Sequence, residues 1–565
     1  MRITSCFRKD DAFIGLGHGL RISYLISVLL CFPLSPRTVS AAETVSDPID
    51  MARRYAQTRH EIMRAIAEET GTTIPQGYER IMESIREGDW PTTAGLWKRH
   101  SDRDREEQYA LWQPMLEAFG YLEQADRWPG ELLTRYADEI LSSIPDGSIY
   151  FGGTDPGRFI ISAHQNMTDS PDIFVITQNA LADNTYLDYM RNRHGHRIHL
   201  PSKEDANRAF QQYVEDVREG RIPAGAEVAV KDGRVSVQGI AGVMMINGIL
   251  ARMIFEENKD RHEFYVEESY VIEWMLPHLE PHGLIMRLHS EPINFTPAIV
   301  KRDFDFWEAR AQELIDDPLF IDSEAARRTY SKLRSAIAGL YAHRRMFDDA
   351  EQAFRQAIDL YPESPEASFR LADLFLNQRR YMEALSTMEA LHTLDPANTR
   401  VQSYLTQIRD MERKDGRRQA LEDQSAAGDL GLEDRLELAH LYQRLQKADA
   451  FEKHIRTMLK DNDLPPSAYL QIGEMCVDSH RLDLVAMALE RYLEREPNNE
   501  DIWIDLAATL TSLNQPDEAL HAVGRAIDVA GEKAVETIRT DARLNPMRHR
   551  TDFQALLIQP TQTHD

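Results

Sequence analysis

A chain of 565 residues is too long for one hydrophobic core, so several domains are expected. Apolar residues make up 42% of it, as in soluble globular proteins. Its 92 acidic against 65 basic residues leave a net charge of −27, which argues against a nucleic-acid backbone or an anionic lipid surface as partner.

Residues 1–42 read as a secretory signal peptide. Arg2, Arg8, Lys9 and Arg21 precede the apolar run Ile22–Leu34, which is shorter than the roughly 20 residues a membrane span needs. Val39-Ser40-Ala41 and Ser40-Ala41-Ala42 both offer small-residue cleavage sites. Leu29-Leu30 before Cys31 are not the small residues of a lipoprotein site, so a released protein of the periplasm or another extracytoplasmic space is expected. No later run reaches membrane length. Beyond the leader only Cys476 remains; it excludes an internal disulfide and reads as a small buried apolar residue.

Residues 43–145 read as a helical segment. Ile62, Met63, Ala65 and Ile66, and further on Leu111, Met115, Ala118, Phe119 and Leu122, recur at helical spacing. Trp90, Trp97, Trp112 and Trp128 lie here; packing of helices is the expected role, ahead of a sugar- or peptide-binding row.

From 146 to 300 strands alternate with helices, which predicts an α/β domain with a parallel or mixed sheet. Ser148–Phe151 is a strand, Gly152-Gly153 a bend, and Thr154 or Asp155 the cap of a helix with Pro156 first. Then come strand Asp172–Thr177, helix Asp183–His194, strand Ile198–Leu200 and a helix from Ser202, boxed by Asp205. A hairpin over Glu227–Gln238 turns at Asp232-Gly233, and Val243–Phe255 is a buried helix. Strand His262–Val266, helix Val271–Leu279 and strand Gly283–Leu288 close the region. Parallel strands would gather their polar ends on one edge. That makes Thr154, Asp155, Arg158, Gln178, Asn179, Glu267 and Glu268 the ligand-binding candidates, with Ser269 beside them. The loop has neither the spacing of GxGxxG nor the lysine of a P-loop, and no nucleophile or cofactor site is marked. His194, His196 and His199 straddle a helix end and read as solvated residues, so no metal is expected.

Linking helices fill 301–330; 331–565 reads as repeats with a C-terminal cap, periodic to about 535. Ala338 and Ala372, Tyr341 and Phe375, Ala350 and Ala384, and Pro362 and Pro396 are each 34 apart. Ala439, Gly473 and Ala507 repeat at 34 again, with Pro497 in phase. This resembles the tetratricopeptide repeat (TPR) family. The resemblance implies a right-handed superhelix whose concave face binds a peptide or protein, with Asp373, Asn377 and Glu474 on that face. The unit at about 399–432 is degraded into a charged helix, 411–423, and a flexible SAAGDLG. Ala542–Leu556 is expected to be a capping helix.

Residues 145–290 also resemble the soluble tail of bacterial membrane proteins of the protein O-mannosyltransferase type. SIYFGGTDPGRF and the block EFYVEESYVIEWMLPHLEPHGLIMRL carry the likeness, without that family's membrane catalytic machinery. It implies a bacterial cell-envelope setting.

The fold class expected is therefore mixed: an α/β sheet domain between an N-terminal helical segment and a C-terminal all-α TPR superhelix. The function expected is an exported scaffold that holds a protein or peptide in the repeat groove, with an unassigned ligand for the α/β domain. The alternative is a cell-envelope enzyme acting on a glycan or phosphorylated carrier through Asp155 and Glu267 or Glu268. The absence of a marked nucleophile tilts the reading away from catalysis.

Overall fold

The computed structural model describes residues 47–100, 109–219, 221, 227–231, 234–238, 240–268 and 272–558. The leader, the Asp232-Gly233 turn and Ser269 lie outside these. The chain divides into two compact units, Met1–Gln402 and Ser403–Asp565.

The first unit begins with five helices: α1 (Pro48–Thr70), α2 (Gln76–Glu87), α3 (Trp90–His100), α4 (Tyr109–Arg127) and α5 (Gly130–Ser143). Asp47 caps α1 by accepting from the Ile49 amide, and Gly71 ends it at φ 64°. Tyr55, Met63, Ile81, Met115, Leu122 and Ile140 fill the interior between them. The tryptophans pack as expected. Trp97 stacks on Phe119 at 3.9 Å and sits 4.7 Å from Trp112, while Trp112 and Trp128 are buried.

Next come β1 (Ile149–Gly152), α6 (Ile161–Met167), β2 (Phe174–Thr177), α7 (Asn184–His194), α8 (Lys203–Arg218), the hairpin β3 (Glu227–Lys231) and β4 (Arg234–Gln238), and α9 (Ile240–Asn258). They are followed by β5 (Phe264–Val266), β6 (Leu279–His282) and β7 (Ile285–Leu288). The main sheet has the order β2-β1-β5-β7-β6. β1 runs parallel to β2 and β5, and β7 is antiparallel to β5 and β6, so the sheet is mixed. All four residues of β1 are buried, as a central strand covered on both faces requires. The Ser202 capping box forms in both directions.

Two expectations fail here. Ile198–Leu200 is not a strand, because the Asn258 amide takes both the N–H and the C=O of His199, at 2.8 and 2.9 Å. Those are the groups a sheet ladder would have used. The helix expected over Val271–Leu279 is a short 3₁₀ segment, Glu273–His278, carrying Pro277. Leu279–His282 then pairs with β7 through a turn at Gly283, φ 64°.

α10 (Pro297–Ile315) and α11 (Pro318–Asp322) lead into paired helices: α12 (Glu324–His343) with α13 (Phe347–Leu360), and α14 (Pro365–Asn377) with α15 (Tyr381–Leu394). α12 is covered on several sides. Arg334 and Asp303 form a fully buried ion pair at 2.7 Å, shared with the Tyr341 hydroxyl. Arg344 donates to the carbonyls of Ile293, Leu276, Pro277 and Leu279, which ties the sheet region to the first repeat.

α16 (Thr399–Ala427) is one continuous helix where the degraded unit was expected, and the division between the two units falls inside it. Ser425–Ala427, read as flexible from sequence, is its last turn; Gly428, φ 82°, follows. The second unit continues with α17 (Leu432–Arg444), α18 (Ala448–Leu459), α19 (Pro466–Asp478), α20 (Leu482–Arg495), α21 (Glu500–Ser512) and α22 (Pro516–Ala530). α23 (Glu532–Thr540) and α24 (Thr551–Leu556) close it. The expected single cap is broken: Ala542–His549, with Pro546 inside, is 3₁₀, and only α24 beyond it is α-helical. Leu544, Met547 and Phe553 are nevertheless buried in the core of this unit.

The 34-residue register is written into the backbone. Among the described residues the non-glycine positions with positive φ are Arg345, Arg379, Gln446, His480 and Asn514. Each joins the two helices of one pair, at successive spacings of 34, 67, 34 and 34. The missing member would fall at Arg413, inside α16. Ala338, Ala350, Ala372, Ala384, Ala439, Ala507 and Ala519 are fully buried, as close helix contacts require. Cys476 is buried as well, which pushes its thiol up to about 12. Among the described residues no helix is long and apolar enough to cross a membrane.

Candidate functional site

Because β1, β2 and β5 are parallel, their ends bring Gly153-Thr154, Gln178-Asn179 and Glu267-Glu268 onto one edge of the sheet. Glu267 is the centre of the arrangement. Its Oε2 accepts from the backbone amides of Gly153 and Thr154, each at 2.9 Å. Its Oε1 accepts from the Thr154 hydroxyl at 2.5 Å and the Tyr136 hydroxyl at 3.1 Å. Four donors thus hold a carboxylate that is 1% exposed. A Cβ on Gly157 would lie 1.9 Å from Glu267 Oε2, so only glycine leaves room for the carboxylate.

The Thr154 oxygen also accepts from the Gly157 amide at 3.0 Å, and that makes Thr154 the cap of the following turn. Asp155 has helical φ and ψ, is exposed and makes no capping bond. Of the two cap candidates the structure selects Thr154. Arg158 turns from the loop and donates to Gln113 Oε1 at 3.2 Å, rather than pairing with Asp155.

Glu268 follows a different path. Its carboxylate is 2% exposed and lies 3.1 Å from Lys332 of α12. Burial pushes its carboxyl up to about 8, although Lys332 pulls the other way. Its backbone oxygen accepts from Gln178 Nε2 at 2.6 Å, while Asn179 Nδ2 donates to the Gly153 carbonyl at 2.7 Å. Asn247 of α9 in turn donates to the Asn179 carbonyl at 3.0 Å. The candidates from β1, β2 and β5 therefore form one network, with Asp155 and Arg158 outside it.

The chemical consequence is specific. Backbone amides at the end of a parallel strand commonly receive an anionic ligand. Here Glu267 occupies them, so the GGT bend closes on an internal carboxylate. Tyr136, Gly157 and Lys332 complete this arrangement and were not singled out from sequence. A glycine one residue after a proline at a helix start is the signal that could have found Gly157.

His194 stands edge-on to Phe174 and burial brings its pKa down to about 4, whereas His196 and His199 are exposed. Among the described residues no three His, Cys, Asp or Glu side chains are placed to hold a metal. In the repeats of the first unit Asp373 is half-buried and Asn377 exposed, both on α14; in the second unit Glu474 is exposed on α19. Asp373 and Glu474 occupy the same register position. An ion triad also recurs in register. Glu351 meets Arg355 at 2.8 Å and Arg380 at 2.5 Å; Glu452 meets Arg456 at 2.8 Å and Arg481 at 2.6 Å. Arg380 and Arg481 each follow the left-handed turn residue of the next repeat, so the triad links neighbouring repeats.

These helix pairs define a repeat scaffold. A family model described as tetratricopeptide repeat matches residues 339–399, from the end of α12 to the start of α16. No curated protein matches the chain. Among solved structures, the MamA protein is 14% identical, with 36% of this chain and 93% of that one covered, at a TM-score of 0.16. YrrB, described as a TPR protein with an unusual peptide-binding site, is 14% identical over 41% of this chain and 97% of its own, at 0.16. The TPR domain of P58(IPK) is 12% identical over 85% and 97%, at 0.19.

Proposed function

We propose that this chain is an exported scaffold whose repeats bind a protein or peptide partner. The observation that carries the reading is the register of left-handed turns, which marks each helix pair at the same point of its repeat. The same position then yields a carboxylate on α14, Asp373, and on α19, Glu474, with Asn377 exposed near the first. Polar, solvent-reachable positions that recur in the repeat register are what a repeat surface offers a partner. Export rests on the charged start, the short apolar run and the Ala41/Ala42 site of the leader.

The enzyme alternative has one favouring observation, the raised carboxyl of Glu268. Against it, Glu267 is fully engaged by the bend and Asp155 stands apart from both glutamates. The scaffold reading is tested by capture from bacterial envelope extract on the immobilised chain, with Asp373→Lys and Glu474→Lys variants alongside. Loss of a captured protein with either variant supports the groove. Identical capture by parent and variants would remove it.

A further inference from the structure

Away from the sheet edge, a second charged cluster lies where α1, α4, α7 and the turn at Pro156–Ile160 meet. Arg59 of α1 is 1% exposed, and its Nε lies 2.5 Å from Glu117 Oε2 of α4. Arg193 of α7 reaches the same oxygen at 3.4 Å. Arg158 also acts on Glu117: burial opposes ionisation of that carboxyl, but Arg59, Arg193 and Arg158 together hold it below the ordinary range. Tyr189 donates to Glu117 Oε2 at 3.0 Å and accepts from Arg193 at 2.7 Å, and Tyr55 accepts from Arg59 at 2.8 Å.

Two guanidinium groups therefore contact one carboxylate, and a third, Arg158, lies within electrostatic reach of it. Among the described residues Arg158 makes no ion pair; its Nη2 donates to the neutral Gln113 side chain, and its guanidinium lies over the Phe159 and Tyr186 rings at 4.7 and 5.5 Å. Arg59 Nη1 is buried with no hydrogen-bond partner. The lining is otherwise aromatic and buried: Tyr55, Tyr186 and Tyr189. Uncompensated charge in such surroundings is costly, far more so than a paired one. Planar guanidinium forks are also the groups best fitted to oxyanions. Arg193 keeps 21% of its side chain exposed, so the cluster reaches solvent at that residue.

We propose that Arg59, Arg158 and Arg193 form a binding site for a phosphate dianion, free or as a monoester, entered beside Arg193. Two positive charges beyond those matched by Glu117 select a doubly charged ligand over a carboxylate. Glu117 and Tyr189 act as positioning residues that keep Arg59 and Arg193 facing one point. The site uses none of the repeats, so it stands or falls independently of the groove.

The test is titration calorimetry of the whole chain with inorganic phosphate at constant ionic strength, with glycerol 3-phosphate and acetate as parallel arms. Phosphate or the monoester should bind at one site, and acetate more weakly. Arg193→Gln, at the mouth, and Arg158→Gln should each weaken binding about tenfold or more, the loss of one charge-assisted contact. Arg491→Gln, on an exposed helix face of the second unit, should leave it unchanged. Circular dichroism and melting without phosphate establish that each variant is folded, and phosphate should raise the parent's melting temperature more than theirs. No binding of either phosphate compound to the parent overturns the proposal. So does acetate binding as tightly as phosphate, or equal affinity in parent and both folded arginine variants.

Discussion

The strand-end bend and the repeats both depend on residues with little or no side chain, for opposite reasons. At the bend, glycine makes space for a charge: Gly157 lies where a Cβ would collide with the Glu267 carboxylate. In the repeats, alanine makes space for a helix: Ala350, Ala372 and Ala384 are buried between paired helices. The bend is a single device, and its four donors serve one carboxylate. The repeats spread their contacts over units that are built alike. A perturbation at the bend should therefore cost more than one at a repeat, because no neighbouring unit can share it.

The largest effect is expected from Gly157→Ala. The added methyl must displace Glu267 and leave a buried carboxylate without its partners, a change of roughly 3–5 kcal/mol. The contrasting substitution is Gly524→Ala in α22, where a Cβ meets nothing within 4 Å. There the helix should gain roughly 0.5–1 kcal/mol. Urea unfolding of both variants reads the contrast, and equal effects would dissolve it.

Glu268 sharpens the same contrast through pH. Burial raises its folded carboxyl to about 8, whereas an unfolded glutamate titrates near 4.3, so the folded chain keeps a proton that the unfolded chain has lost. The stability this group supplies is full below the unfolded value, falls as pH rises through the window and is gone above about 8. Glu268→Gln carries a neutral side chain at every pH. It should match the parent at about pH 4 and exceed it by more than roughly 1 kcal/mol at about pH 9. Parallel pH slopes in denaturant melts would mean that Glu268 ionises as an ordinary surface carboxyl does.

In the repeats, Ala384→Leu should overpack α14 against α15 and cost about 1–3 kcal/mol, less than Gly157→Ala. A cost near zero would take Ala384 out of the helix contact.

How much of this was legible follows the same divide. The repeats announce themselves because one unit predicts the next; even the interruption at 399–432 could be found by counting. That it is a continuous helix was not legible, since losing a left-handed turn leaves only ordinary helix formers such as Glu412, Arg413 and Lys414. The strand ends were legible as ends, because turn residues mark them. Their closure on Glu267 was not: the Thr154 and Glu267 partners lie 113 residues apart, and no local pattern encodes such a contact. β6 was missed for a related reason. It carries Pro281 and runs only four residues, so its pairing with β7 decides what its own sequence does not.

The smallest predicted effect tests which residue of the bend does the capping. Asp-Pro opens many helices, and from sequence Asp155 is the natural cap. In the folded chain Thr154 instead accepts from the Gly157 amide while donating to Glu267, so one hydroxyl serves both the cap and the clamp. Asp155 is exposed and bonds to neither. Asp155→Asn should therefore leave stability within about 0.5 kcal/mol, as surface changes away from such features do. Thr154→Ala removes the cap and one of the four donors to a buried carboxylate, and should cost about 1–3 kcal/mol. Thr154→Ser keeps the hydroxyl and should recover most of that. Thermal and denaturant melts of the three variants decide it. A large loss with Asp155→Asn, or none with Thr154→Ala, would return the cap to Asp155 and leave the clamp on Glu267 to its backbone amides and Tyr136 alone.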